Sequence, residues 1–296
     1  MSGNLKARGH HCADMNDPST EQITWSEDSY GVLKRWVVFR KWVEGYATRR
    51  GLSQLRVLDY GCGTGALVSY PLARLGHVVV GSDVHEPSIK LARSLYQLPN
   101  LTFEALSIEK LLEQAPQFDM VICSEVLEHL MNPGDALHSL RRLVVPRGML
   151  IVTTPNGYGS YELCCSLERG LKRFGIHQCM RKTREVLLSA FSRYPDRKNV
   201  NEEERQRETG FLNVDSGHIQ FFRMRQLELL FGGAGFVIVE RRARTLLCGP
   251  YLDQLLKLSP FRDVLYRFNG RLADSLPFTW AADWMFLLER REKSPM

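Results

Sequence analysis

Two short stretches gather glycines, carboxylates and imidazoles in patterns that suit ligand binding and proton transfer. The first is DYGCGTG, residues 59–65, directly after LRVL. Gly61, Gly63 and Gly65 alternate behind Asp59. Such bare backbone can turn sharply and approach a ligand with no Cβ in the way. Asp83 follows at the end of the next apolar run, where a carboxylate can accept hydrogen bonds from both hydroxyls of a ribose. The ligand that fits is a nucleoside. The second stretch is SEVLEHL, residues 124–130, with Glu125, Glu128 and His129 at i, i+3 and i+4. On a helical turn those three share one face. Far downstream, DSGHIQFF supplies His218. Carboxylates and imidazoles gathered in one place can hold a divalent ion or move a proton.

Strand and helix patterns alternate along the chain around these two stretches. YGVLKRWVVFRKWVEGYATRR is an amphipathic helix, with Leu33, Trp36, Val37, Phe39, Trp42 and Val43 forming its apolar side. LRVLDY then reads as a buried strand and ALVSYPLARLG as a helix. HVVVGSD is a strand, EPSIKLARSLYQL a helix beginning on a proline, and LTFEAL a strand. SIEKLLEQ is helical, FDMVICS a strand, PGDALHSLRRLV a helix and GMLIVTT a strand. Five strands alternating with helices imply an α/β, doubly wound, mostly parallel sheet. FVIVERR and AADWMFLLERR bring the expected total to seven strands. Ligands of such sheets bind outside the carboxyl ends of the strands. DYGCGTG and SEVLEHL both fall there.

The alternation breaks twice. Residues 158–216 and 245–279 read as two helical insertions in a single domain over 25–296, behind a flexible N-terminus, 1–24. The first insertion is basic. Between Leu167 and Lys198 lie nine arginines and lysines, opposed by Glu168, Glu185 and Asp196. Its leucines and Phe174 recur at helical spacing, a pattern suited to a membrane surface, a lipid-linked substrate or a lid. The second insertion carries Tyr251, Leu252, Leu255, Leu256, Phe261, Leu265 and Phe268, and together the two could enclose an apolar acceptor.

The bulk numbers set bounds. The chain has 296 residues with 44% hydrophobic and 24% charged, an ordinary globular composition. No apolar run reaches the length of a membrane span, and the N-terminal stretch lacks the apolar core of a signal peptide. Seven cysteines without framework spacing fit a reducing compartment, so the expected location is cytoplasmic, with peripheral membrane contact through the basic insertion. A net charge of +6 selects no partner by itself.

Two nucleoside-binding layouts share these glycines. Dinucleotide enzymes carry G-x-G-x-x-G/A, which GCGTGA fits. Methyltransferases carry an acidic residue and then G-x-G-x-G, which DYGCGTG fits fully. A cationic sulfonium ligand suits a nearby carboxylate, whereas a pyrophosphate does not. Residues 55–157 resemble class I S-adenosylmethionine-dependent methyltransferases, and within them the ubiquinone-biosynthesis O-methyltransferase group. The resembling residues are VLDYGCGTG, VVGSDVHEPSIKLAR, FDMVICSEVLEHLMNP and RGMLIVTTPN. The resemblance implies a Rossmann-like fold and S-adenosyl-L-methionine as cofactor. It implies that Asp59, Gly61, Gly63 and Gly65 lie by the methionine part, that Asp83 holds the ribose, that Val84 flanks the adenine and that Ser124 lines the sulfonium side. An aspartate that many relatives carry after the third strand is absent. Leu106, Ser107 and Ile108 stand in its place, and Ser107 is the expected contact. Arg40 is the expected partner of the methionine carboxylate.

In the ubiquinone group, and in small-RNA 2′-O-methyltransferases of the plant microRNA type, a similar E-x-x-E-H plus a distant histidine holds a divalent ion. The resemblance thus implies Glu125, Glu128, His129 and His218 as metal ligands. Mixed carboxylate and imidazole donors suit Mn²⁺, Fe²⁺ or Zn²⁺ better than Mg²⁺. In other relatives the glutamates cap a helix and the histidine is a base, and that alternative stays open. The leading expectation is O-methylation of a small apolar or lipid-linked hydroxyl substrate. An RNA 2′-O-methyltransferase and a non-catalytic cofactor-binding subunit compete with it. No interleaved aromatic and basic platform speaks for nucleic acid.

Overall fold

The computed structural model describes residues 31–114, 117–160, 218–248 and 261–292. Seven strands form one sheet in the order β3-β2-β1-β4-β5-β7-β6. They are β1 (Arg56–Tyr60), β2 (Val78–Ser82), β3 (Leu101–Glu104), β4 (Phe118–Ser124), β5 (Val144–Pro155), β6 (Phe236–Ala243) and β7 (Asp283–Arg290). The first five pair in parallel. β7 runs antiparallel to both β5 and β6, which places its first residue, Asp283, beside Pro155 at the carboxyl end of β5. This is the doubly wound, mostly parallel seven-stranded fold that the alternation predicted.

The helices are α1 (Val32–Arg50), α2 (Ser69–Arg74), α3 (Glu86–Leu95), α4 (Ile108–Gln114), α5 (Pro133–Leu143), α6 (Met224–Gly233) and α7 (Arg262–Ser275). Each sheet face carries its own core. One is built on Leu58, Val121, Leu150 and Phe286 with α5 and α6, and the other on Val57, Ile122, Ile151 and Leu287 with α1 and α2. Adjacent strand residues point to opposite faces, so near-continuous apolar runs such as MVIC fill both. α1 contributes Trp36, Phe39, Trp42, Val43 and Tyr46, its expected apolar side except that Leu33 and Val37 are only half-buried.

Three local expectations shift. α2 starts at Ser69 rather than at Ala66, because the positive-φ glycines before it keep the chain turning. β5 starts at Val144, inside the expected helix, with Arg147 at φ 58° in the turn of PRG. Gly148 beside it is obligatory, since a Cβ there would stand 2.8 Å from Val145 O and 2.9 Å from Asp119 O. The N-terminal 1–24 stretch and the basic run between Leu167 and Lys198 lie outside the described residues. Of the second insertion, residues 245–248 and 261–279 are described, and they contain α7 and a short 3₁₀ turn, Phe278–Trp280.

Candidate active site

The glycine loop is held by strain-tolerant backbone and by one carboxylate. Gly61, Gly63 and Gly65 sit at φ 74°, 56° and 73°, in the left-handed region where a Cβ is penalised. A Cβ on Gly61 would stand 2.4 Å from Val126 Cγ2, and one on Gly65 would stand 2.3 Å from Phe103 Cε1. Asp83 closes the loop: its Oδ2 accepts from Gly63 N and its Oδ1 from His85 N, both at 2.8 Å. A carboxylate has about four acceptor positions. Two remain open on a half-buried side chain. Val84, next to it, is 72% exposed and offers an apolar wall. Ser107 stands at the start of α4, and its carbonyl accepts from Leu111 N at 3.1 Å.

Asp59 is buried under the loop. Ser69 Oγ donates to its Oδ2 at 2.5 Å. Burial pushes its pKa up to about 6, against the opposing effects of the Ser69 hydrogen bond and of Arg35. A cation bound nearby would favour the ionised form.

The arginine that reaches this end of the sheet is Arg35, not the expected Arg40. Arg35 is buried, and its Nη1 donates to Ser124 Oγ at 3.2 Å. Arg40 pairs with Glu44 at 2.7 Å along the helix surface. Five residues of α-helix rotate a side chain by about 140°, so the two arginines face different ways. Arg35 precedes Trp36 on the buried side of α1, and that neighbour was the available signal.

The acceptor-side residues separate into two groups. Glu125 adopts φ 58°, a left-handed conformation rare for a side chain of this kind, and its N–H donates to Thr153 O at 3.0 Å. Only Leu127–His129 then form a 3₁₀ turn. Glu125 is therefore outside the helical turn expected to align it with Glu128 and His129. Its carboxylate faces Arg244, whose Nη1 lies 3.2 Å from Oε1 and Nη2 3.4 Å from Oε2, and it accepts from Thr153 Oγ1 at 2.6 Å. Arg244 also pairs with Asp283 at 3.0 Å, and Thr245 Oγ1 donates to the other oxygen of Asp283 at 2.8 Å. Burial would raise the Glu125 pKa, but Arg244, then Arg35, and the Thr153 hydroxyl outweigh it and hold it below the ordinary range. Ser124 joins the network through Thr153, at 2.8 Å between hydroxyls.

Glu128, His129 and His218 converge. Each offers a ligand atom within 4.8 Å of the others. The backbone brings them together: Glu128 O accepts from both Ile219 N and Gln220 N at 3.0 Å, which clamps the segment after His218 onto the turn. Gln220 Nε2 adds bonds to Leu130 O and Met131 O. The imidazole rings of His129 and His218 meet edge to face at 5.3 Å. Glu128 is 1% exposed, and neither of its carboxylate oxygens meets a hydrogen-bond donor at normal distance. Its pKa is raised well above the ordinary value, first by burial and then by the charge on Glu125. A buried carboxylate with neither oxygen satisfied is costly unless a proton or a cation accompanies it. With two imidazoles beside it, the donor set fits a divalent ion, and Glu125 is turned away from it.

Asp83 thus follows β2 beside the glycine loop, and Glu128, His129 and His218 gather beyond the carboxyl end of β4. The methyltransferase domain family matches residues 35–241. The chain belongs to that family. Among its relatives, the ubiquinone biosynthesis O-methyltransferase of Paracidovorax citrulli is 38% identical over 120 residues, 39% of this chain and 48% of the relative. The mitochondrial ubiquinone biosynthesis O-methyltransferase of Arabidopsis thaliana is 37% identical over 106 residues, 34% of this chain and 33% of the relative. The matched stretches thus span less than half of these relatives. The fold is shared with magnesium protoporphyrin IX methyltransferase from Synechocystis PCC 6803, whose structure holds SAH, at a TM-score of 0.51 and 18% identity over 88% of this chain and 83% of that one. A SAM-dependent methyltransferase from Archaeoglobus fulgidus shares it at 0.50 and 14% identity over 88% of this chain and 94% of that one.

Arg244 and Asp283 were missed in the sequence. Each is a charged residue set among alanines and apolar residues, in RRARTLL and AADWMFLL. An acid opening an otherwise apolar strand was the available hint.

Proposed function

We propose that the chain is an S-adenosylmethionine-dependent methyltransferase that methylates a hydroxyl of a small apolar or lipid-linked acceptor. The observation that carries this reading is the convergence of Glu128, His129 and His218 at the same sheet edge as the glycine loop and Asp83. In it, Asp83 takes the ribose hydroxyls, Val84 flanks the adenine, and Ser107 borders it. The bare backbone of Gly61, Gly63 and Gly65 admits the methionine part above Asp59, while Arg35 with Ser124 faces the carboxylate end. The sulfonium methyl is already activated, so in-line positioning of the acceptor oxygen supplies much of the rate.

The acceptor hydroxyl must still lose its proton. Glu128, His129 and His218 would hold a divalent ion, which when bound lowers the pKa of a coordinated oxygen. The unsatisfied oxygens of Glu128 call for a companion there, either a cation or a proton. Where no ion is bound, either histidine can instead take the departing proton as a base. Arg244 keeps Glu125 out of the ligand set and adds a fixed charge beside it.

The test is turnover with and without chelator, beside SAH binding measured by calorimetry. Chelation that cuts methyl transfer while leaving SAH affinity intact, with recovery on adding Mn²⁺, supports the metal reading. Unchanged turnover after chelation, with a single histidine-like titration, assigns the proton to His129 or His218 acting as a base.

Two further parts of the reading rest on charge and composition. The basic insertion suits peripheral contact with anionic lipid, which pelleting with acidic vesicles at low salt tests. Cys62 and Cys123 are free thiols, which suits a reducing setting. Among the described residues no helix is long and apolar enough to cross a membrane.

A further inference from the structure

β4 ends on a hydroxyl, and β5 sets another beside it. Ser124 and Thr153 are register partners in the parallel pair, with 2.8 Å between Oγ and Oγ1. Either hydroxyl could donate across that gap, and the groups at its two ends decide which one does. At one end stands Glu125. In an extended strand its side chain would leave for the face opposite to that of Ser124. The left-handed turn at φ 58° brings it back instead, and its Oε1 accepts from Thr153 Oγ1 at 2.6 Å. Arg244 lies against both carboxylate oxygens, so Glu125 is ionised and can only accept. Thr153 is fully buried, and its one hydroxyl proton points at Glu125. It must therefore accept from Ser124. At the other end Arg35 Nη1 donates to Ser124 Oγ at 3.2 Å, and a guanidinium cannot accept. The Ser124 proton thus points to Thr153 and one lone pair meets Arg35. A second lone pair is left, on a half-buried residue at the strand end.

A serine hydroxyl ordinarily turns to donate or to accept. This one is held as an acceptor, and the ligand group it suits is a cationic N–H donor. The sheet order says which end of the cofactor that is. β1 lies between β2 and β4, so Asp83, after β2, and Ser124, at the end of β4, flank the glycine loop from opposite sides. With the ribose at Asp83, the amino-acid end of S-adenosylmethionine reaches Ser124. Its sulfonium has no proton to donate, whereas its ammonium carries only donors. We propose that Glu125 is a positioning residue that, through Thr153, fixes Ser124 Oγ as an acceptor for the cofactor's ammonium, while Arg35 serves the carboxylate beside it. The inference rests on the cofactor reading above. It also gives a reason for the left-handed backbone at Glu125, a costly conformation that the surroundings must impose.

The test is calorimetry on the full chain with two ligands. One is S-adenosylhomocysteine, and the other is its des-amino analogue, in which hydrogen replaces the ammonium and the carboxylate is kept. Ser124→Ala should weaken S-adenosylhomocysteine binding about tenfold or more, the scale of one hydrogen bond to a charged group, and leave the analogue's affinity unchanged. Glu125→Gln should show the same selectivity, because an amide can donate to Thr153, which reverses the chain and turns the Ser124 proton outward. Thr153→Val interrupts the chain and should give a smaller loss with the same selectivity, whereas Thr153→Ser should bind as the wild type does. Ser124→Ala combined with Glu125→Gln should bind no worse than Ser124→Ala alone, because Glu125 acts through Ser124. A merely structural role would lower the melting temperature and weaken both ligands equally. Should Glu125→Gln not fold, Thr153→Val beside Thr153→Ser decides by the same comparison. Equal losses for the two ligands, unchanged affinity in Ser124→Ala, or a selective loss there that Glu125→Gln or Thr153→Val fails to share overturns the inference while the cofactor reading stands. No binding of S-adenosylhomocysteine by the wild type removes both.

Discussion

Arg244 grips Glu125 through both terminal nitrogens, at 3.2 and 3.4 Å, and so takes the first glutamate of SEVLEHL out of the set that meets His218. The same guanidinium holds Asp283 at 3.0 Å. Arg244→Met would leave two buried carboxylates without their cation. Removing one partner of such a group costs about 3–5 kcal/mol. Urea denaturation should show a loss of that order, and Arg244→Met combined with Glu125→Gln should lose less than the two separate effects added together. Strict additivity would mean that the pair does not interact.

The two glutamates should differ in what they do to an ion. Glu128→Gln removes a ligand atom from the converging group, and Glu125→Gln does not. Mn²⁺ titration followed by electron paramagnetic resonance should show binding weakened at least about tenfold by Glu128→Gln, since losing even a residue that only orients a ligand costs about 10–100-fold. Glu125→Gln should bind Mn²⁺ nearly as the wild type does. Equal losses would put Glu125 back into the site.

Gly65→Ala should damage the loop twice over. The residue sits at φ 73°, and the new methyl would meet the Phe103 ring 2.3 Å away. Alanine in that conformation costs more than about 1 kcal/mol before any clash is counted. The expected result is a lower melting temperature together with weaker S-adenosylhomocysteine binding. A stable variant with normal affinity would show that the loop needs no bare backbone there.

Asp59 should make the ligand-free protein less stable as pH rises through a defined window. Its folded pKa is about 6 against 3.8 for the free side chain, so between those values the folded state binds more protons than the unfolded one. Stability therefore falls as pH goes from about 4 to about 6, by on the order of 3 kcal/mol for this one buried group. Asp59→Asn keeps an acceptor for Ser69 and removes the titration. Urea denaturation from pH 4 to 7 should show a flatter profile for the variant than for the wild type. Parallel profiles would mean that Asp59 does not titrate in this window.

Much of this was legible in the residues. LRVLDY, HVVVGSD and FDMVICS are buried on both sheet faces, so their apolar runs announce parallel strands, and the glycine spacing locates the turn at the end of the first. The approach of His218 to His129 was also foreseeable, since both flank carboxyl ends of strands in one sheet. What could not be read was the conformation at Glu125. Its spacing to Glu128 fits a helix, but the fold turns the backbone left-handed there because Thr153 and Arg244, distant in sequence, hold both its N–H and its carboxylate. Arg40 was the expected contact on α1, and the spacing along one amphipathic helix gave no sign that Arg35 is the arginine turned toward Ser124.

If the glycine loop and Asp83 bind the nucleoside of S-adenosylmethionine, calorimetric titration of the purified chain with S-adenosylhomocysteine and, separately, with NAD should show saturable binding of S-adenosylhomocysteine, none of comparable strength for NAD, and a loss of roughly 1.5–3 kcal/mol on Asp83→Ala, the scale of a charged hydrogen bond. Preferred binding of NAD, or S-adenosylhomocysteine affinity that survives Asp83→Ala unchanged, would contradict it.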